Sequence, residues 1–143
     1  MVNKHLPIFI DTSFFKALVD QKDEFYDQAL KINTALIKDN TMLVTTNYIL
    51  DETFTLIRKR CGLAKALKLR ENIANHSMTI HVVRVTTIHD AEAWTWFQND
   101  WSGLSFTDCV SFVVMQQRNI TSVATFDKHF TRAGFTIVEP ASR

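Results

Sequence analysis

Two short apolar runs, each closed by an aspartate, constrain this chain more than any other feature of its sequence. Leu6-Pro7-Ile8-Phe9-Ile10 ends on Asp11, and Ser122-Val123-Ala124-Thr125-Phe126 ends on Asp127. Runs of this length and apolar content predict buried strands, and an acid at the carboxyl end stands where open α/β sheets place their ligands. Two further acids, Glu52 and Asp108, lie on apolar-rich segments that read as helices. Four carboxylates converging on one crevice repel each other, so their assembly calls for a divalent cation. With no Cys or His cluster beside them, hard carboxylate oxygens suit Mg²⁺ or Mn²⁺ rather than Zn²⁺.

Between those runs, strands and helices alternate. The pattern predicts a strand at Leu6–Ile10, a helix from Thr12 to Val19, and a second helix from Glu24 to Lys38 whose Phe25, Ala29, Ile32 and Leu36 recur at helical spacing. A strand at Met42–Thr45 leads into a helix capped by Thr46 or Asn47 and stopped by Gly62. A helix at Leu63–His76, a β-branched strand at Thr79–Val85 and a helix capped by Thr87 follow. Ser105 opens a strongly apolar helix reaching Arg118. A strand at Thr121–Thr125, a short helix to Ala133 and a strand at Phe135–Val138 complete the order. Alternation of this kind implies a mainly parallel sheet covered on both faces, an α/β sandwich. The 143 residues are 46% hydrophobic with three Gly and two Pro, so a single domain spanning 1–143 without a flexible linker is expected.

Each acid has a structural explanation to set against the chemical one. Asp11 can cap the following helix, but Thr12 and Ser13 already offer hydroxyl caps. Ser105-Phe106-Thr107-Asp108 matches a capping box with Asp at its last position. The helix it opens is apolar nearly all round, however, and Thr107, Asp108 and Ser111 make a narrow polar stripe that points to a polar crevice. At 100° per residue Glu52 falls at the border of its helix's apolar face, whereas Asp51 falls on the polar face and reads as solvated. Asp127 can begin the short helix after it, yet its place behind a buried run mirrors that of Asp11. His129 reads as an exposed histidine at a helix end rather than a general base.

Four segments in order resemble the PIN-domain family, the compact nucleases that include VapC-type toxins of prokaryotic toxin–antitoxin pairs. They are Phe9-Ile10-Asp11-Thr12-Ser13, Asn47-Tyr48-Ile49-Leu50-Asp51-Glu52-Thr53, Leu104-Ser105-Phe106-Thr107-Asp108-Cys109-Val110-Ser111-Phe112, and Thr125-Phe126-Asp127-Lys128-His129-Phe130. The resemblance implies a three-layer α/β/α sandwich and a metal-dependent endoribonuclease. It puts Asp11, Glu52 and Asp108 on a first Mg²⁺ or Mn²⁺, with Asp127 completing the pocket or serving a second ion. Thr12, Ser13 and Thr107 are then expected to orient these carboxylates or to meet a phosphate. Some family members carry a further acid just after the last one, where this chain has Lys128 and His129. A structure-specific DNA nuclease and a non-catalytic RNA-binding module are the competing readings. A P-loop or Rossmann nucleotide site fails on glycine content.

Net charge is +1, so any RNA contact must come from local charge. Arg58, Lys59, Arg60, Lys65, Lys68 and Arg70 follow one another with no acid between them and are the expected backbone-binding segment, against the plainer reading of a solvated helix face. The two cysteines, Cys61 and Cys109, form no CxxC pair, and no apolar run approaches a membrane span, so a reduced cytoplasmic protein without membrane contact is expected. In the helix after Thr87, Ile88, Ala91 and Trp94 can share a face from which Trp96 points away. One of the two indoles is therefore expected at a surface, where a large aromatic marks a contact. A homodimer is expected, and the family resemblance adds an antitoxin protein as partner.

Overall fold

The computed structural model describes residues 6–75 and 79–140. Its elements run β1 (Ile8–Ile10), α1 (Thr12–Val19), α2 (Tyr26–Lys38), β2 (Leu43–Thr46), α3 (Asn47–Cys61), α4 (Leu63–Asn75), β3 (Ile80–Val83), α5 (Thr87–Phe97), α6 (Phe106–Gln117), β4 (Ser122–Ala124), α7 (His129–Arg132) and β5 (Thr136–Ile137). The expected element order holds throughout, although His76, placed at the end of the fourth helix by the sequence pattern, lies outside the described residues.

The five strands form one all-parallel sheet in the order β3-β2-β1-β4-β5. From β1 the chain moves outward through β2 to β3, then returns to the opposite side of β1 for β4 and β5. Crossovers between parallel strands are right-handed, so connections running in opposite directions lay their helices on opposite faces. Contacts agree with this division: α1 touches α2 and α3, and α3 touches α4, while α6 touches α5 and α7. The result is a three-layer α/β/α sandwich. Its direction of winding reverses between β1 and β4, and the carboxyl ends of these two strands open a crevice there.

Strands are shorter than the apolar runs that announce them. Pro7 has no N–H for the ladder, and β1 begins at Ile8, whose N–H donates to Met42 O at 3.0 Å. At the other end of β3, Val85 N–H turns away from the sheet and donates to Asn47 Oδ1 at 2.8 Å. Caps set the helix starts. Thr46 Oγ1 accepts from Ile49 N–H, and Thr86, one residue earlier than the sequence suggested, caps α5 in a box with His89. Gly62 ends α3 at φ +95°, a conformation that a side chain would disfavour.

Helix α6 is the buried axis of one layer, with every residue from Asp108 to Met115 inside. Phe112, fully buried, meets Trp96, Phe130 and Phe135 at ring separations of 5.1, 5.0 and 5.8 Å. Trp96 thus faces the core, and Trp94 is the surface indole of the pair, 56% exposed. Among the described residues no helix is long and apolar enough to cross a membrane.

Removing the Phe112 ring should leave a cavity at the junction of four aromatics. Phe112→Ala is expected to cost about 3–5 kcal/mol and the cap substitution Thr46→Ala about 1 kcal/mol, read from urea denaturation followed by circular dichroism. A Phe112→Ala loss below about 1 kcal/mol would contradict the packing role assigned to this ring.

Candidate active site

Asp11 follows β1 directly, and its N–H donates to Ala124 O at 3.1 Å, which continues the β1–β4 ladder by one step. The residue in register with it on the other strand is therefore Thr125, not Asp127. Thr125 Oγ1 donates to Asp11 Oδ2 at 2.8 Å, and Ser13 Oγ donates to the same oxygen at 3.0 Å. Each hydroxyl also accepts: Thr125 from Asp127 N–H at 3.0 Å and Ser13 from Phe126 N–H at 2.9 Å. Two hydroxyls thus tie the start of α1 to the turn after β4, with the Asp11 carboxylate as their common acceptor. Asp11 is also the N-cap of α1, receiving a long 3.5 Å contact from Ser13 N–H, so the capping role that its hydroxyl neighbours were expected to fill belongs to it.

Asp127 lies three residues beyond β4, in the turn that Thr125 closes, rather than at the end of the strand itself. Its Oδ1 accepts the His129 N–H at 2.9 Å. Asp108 enters from α6, where the capping box forms: Ser105 Oγ accepts Asp108 N–H at 3.0 Å, and Asp108 Oδ2 accepts Ser105 N–H at 3.2 Å. Asp11 and Asp108 are only 3% and 6% exposed.

Electrostatics join the three acids. Burial pushes the Asp11 carboxyl up to about 6, against the lowering effect of the Thr125 and Ser13 hydrogen bonds, and the Asp127 charge raises it further. Asp108 is pushed up to about 7 by burial, then by the charges of Asp11 and Asp127, while its bonds to Ser105 pull the other way. Burial and the Asp108 charge also lift the Cys109 thiol to about 11, which removes it as a nucleophile at neutral pH.

Glu52 stands apart from this trio. It is exposed on α3 and lines an open groove of about 530 Å³ with Tyr48, Asp51, Thr55, Lys59 and Thr107. Thr107 is the neighbour of Asp108, so the groove runs up to the cluster from the α3 side. Asp51, expected to be solvated, is exposed in the same groove. Thr12 is buried with no hydrogen-bond partner for its hydroxyl. Among the basic residues, Lys59 is brought beside Glu52, while Lys65 donates to Val19 O at 3.4 Å; Arg58, Arg60 and Lys68 are exposed.

His129 departs from its expected place. It is half-buried, and its ring stacks on Trp101 at 6.1 Å with 13° between planes. One ring nitrogen and one oxygen each from Asp108 and Asp127 lie within 4.8 Å of one another. A second groove, of about 1130 Å³, begins at Asp127 and His129 and is lined further by Lys128 and Arg132. These two cations were not singled out from the sequence. Their signal was present in the basic residues that follow Asp127. The Thr125 hydroxyl was legible too, as a polar residue inside an otherwise apolar buried run. Two buried carboxylates whose pKa values are raised first by burial and then by neighbouring acid charge, a third acid and an imidazole form a donor set that fits a divalent cation.

The PIN-domain family model matches residues 8–136 of the chain. The chain belongs to the PIN-domain family. In Mycobacterium tuberculosis H37Rv, the 23S rRNA-specific endonuclease VapC20 is 34% identical over 139 residues, covering 93% of this PIN protein and 98% of its own length; the protein of the same name in strain CDC 1551 matches equally. The crystal structure of M. tuberculosis VapC20, described as a Sarcin-Ricin loop cleaving toxin, superposes with a TM-score of 0.80 at 33% identity, covering 93% of this chain and 99% of that one. FitAcB from Neisseria gonorrhoeae superposes at TM-score 0.63 and 14% identity, over 93% and 97% of the two chains, a likeness of fold.

Both shifted carboxyls bind protons more tightly in the folded chain than in the unfolded one. Their contribution favours folding at low pH and is lost as pH rises through about 6 and 7. Between pH 5 and pH 8 the metal-free protein should therefore lose on the order of 2 kcal/mol that Asp108→Asn retains. Melting curves across this range check it, and wild type and Asp108→Asn running parallel would contradict the raised pKa of Asp108.

Proposed function

We propose that this protein is a metal-dependent endoribonuclease that hydrolyses RNA phosphodiester bonds as the toxin of a toxin–antitoxin pair. The convergence of Asp11, Asp108 and Asp127 at the switch point of the sheet carries this reading. Its support from relatives is the one-third identity, over nearly the whole length, to a 23S rRNA-specific endonuclease.

In this reading Asp11, Asp108 and Asp127 hold the cation, with Glu52 contributing from its groove. A bound Mg²⁺ or Mn²⁺ supplies the positive charge that polarises a scissile phosphate and a water of lowered pKa. The chain's own residues do the rest. Ser13 and Thr125 fix the Asp11 carboxylate by two hydroxyl bonds, so it meets its ligand without searching rotamers. The Ser105 backbone N–H holds the Asp108 carboxylate in turn. The amino end of α6 carries a partial positive charge beside the cluster, which favours an anionic phosphate there, and Thr107 lines the approach. Lys59 on one side and Lys128 and Arg132 on the other border the two grooves, and an RNA backbone lying along them would meet cations at both ends. Arg58, Arg60, Lys65 and Lys68, exposed on α3 and α4, are further candidates to meet the RNA backbone.

The partners follow from the same reading: RNA as substrate, an antitoxin protein, and a second copy of this chain, in the cytoplasm. The homodimer draws on the aromatic surface where Trp94 and Phe97, 56% and 41% exposed, meet Phe106 at 4.8 and 5.8 Å. Sedimentation at micromolar concentration should give twice the 16.5 kDa chain mass, and a species of 16.5 kDa alone would exclude the dimer.

Cleavage of RNA should stop in excess EDTA. Asp11→Asn and Asp108→Asn should each lower it by more than about a hundredfold, the upper limit for residues that merely orient a metal ligand, while the fold persists. Undiminished cleavage in EDTA would sink the metal-dependent reading, and cleavage confined to DNA would replace the substrate. Lys59→Ala should reduce the slope of log K against log salt in RNA binding by about one phosphate contact. An unchanged slope would return Lys59 to the solvent-exposed helix face.

A further inference from the structure

In the metal-dependent reading above, only acids were assigned to the cation, and His129 contributed its backbone N–H to Asp127. Its ring, however, is placed with a nitrogen in the same 4.8 Å space as oxygens of Asp108 and Asp127. It is held there from two directions. The His129 backbone N–H donates to Asp127 Oδ1 at 2.9 Å, which ties the Asp127 carboxylate to the turn that carries the imidazole. The ring lies on the Trp101 indole, 6.1 Å between centroids and 13° from parallel, and Arg132 sits 5.1 Å from the same indole's centroid. Gly103 lies near the same ring: a methyl group built on it would stand 3.8 Å from His129 Nε2, an ordinary van der Waals distance. A histidine that served only to cover Trp101 would have no need to bring a nitrogen among two carboxylates.

We propose that His129 is a ligand of the divalent cation held by Asp108 and Asp127, and that its nitrogen shifts the site's preference from Mg²⁺ toward a first-row transition ion such as Mn²⁺. The inference rests on the metal-dependent reading above. Mg²⁺ favours oxygen donors in a strict octahedron, whereas imidazole is a better ligand for transition ions, and Mn²⁺ accepts both carboxylate and imidazole. Asp108 and Asp127 supply the charge, and the imidazole supplies selectivity without adding a further negative charge to a repulsive cluster. The stack on Trp101 restricts the ring's rotamers before the ion arrives, so less conformational entropy is lost on binding.

The test is pulsed electron paramagnetic resonance of Mn²⁺ bound to the full chain, comparing wild type with His129→Gln and His129→Asp. Nitrogen coupling from a coordinated imidazole should appear in wild type and vanish in both variants, although His5, His76, His81 and His89 remain. His129→Gln should weaken Mn²⁺ binding by on the order of tenfold, and His129→Asp should narrow the gap between Mn²⁺ and Mg²⁺ affinities by a similar factor. Equal metal-free melting temperatures will establish that each variant is folded, and His129→Asp remains informative should His129→Gln fall short. Mn²⁺ bound by wild type without nitrogen coupling, or with coupling that survives in the variants, overturns this inference and leaves the carboxylate site standing. No Mn²⁺ binding by wild type overturns both.

Discussion

A buried carboxylate must find hydrogen-bond donors or take up a proton, and the way this chain meets that demand at Asp11 organises much of the structure around it. Thr125 and Ser13 each give their single proton to Asp11 Oδ2 and each accept a backbone N–H from the turn after β4. The knot fastens α1 to the end of a strand more than a hundred residues away in sequence. It also fixes the turn from which Asp127 projects. Were Asp11 replaced by an apolar residue, both hydroxyls would lose their acceptor and the turn its anchor, so the site and this corner of the fold share one set of bonds.

The fold and the chemistry compete at this corner. Three acids are held where their charges repel, and two of them are buried as well; burial first and neighbouring charge second raise the pKa values of Asp11 and Asp108. Their tethers are what make this arrangement tolerable. Asp11 caps α1 and Asp108 closes the capping box of α6, so each carboxylate gains backbone or hydroxyl donors in return for its burial. Capping and ligand roles are therefore not alternatives for these residues. A cap oriented by its own helix is a carboxylate with one rotamer, which is what a ligand needs.

Surroundings divide the candidate acids into two kinds. Asp11, Asp108 and Asp127 are coupled to one another, whereas Glu52 is exposed on a helix that borders the groove leading to them. The cations show a similar division. Lys59 on α3 and the segment Lys128–Arg132 at α7 line two different grooves that each reach the cluster, although nearly seventy residues separate them in the chain.

What the sequence determined by itself was the alternation of strands and helices, the parallel sheet, and Asp11, Asp108 and Asp127 as acids that the fold brings near one another. All three rest on local properties: an apolar run long enough for a strand, an apolar stripe at helical spacing, a charge where apolar residues should end. Cap residues were legible for the same reason, Ser105 to the residue, Thr46 as one of two adjacent candidates, and Thr86 missed by one. Tertiary structure decided what depends on distance between segments. Register placed Thr125, not Asp127, opposite Asp11, because Ile10 pairs with Ala124 and the chain turns after Thr125, whose hydroxyl accepts the Asp127 N–H. Packing against Trp101 brought His129 inward, since a helix-end residue shows its burial only once the neighbouring segment is folded over it. The groove that puts Glu52 and Lys59 beside Thr107 is likewise a property of two helices from opposite layers, and no periodicity within either one encodes it.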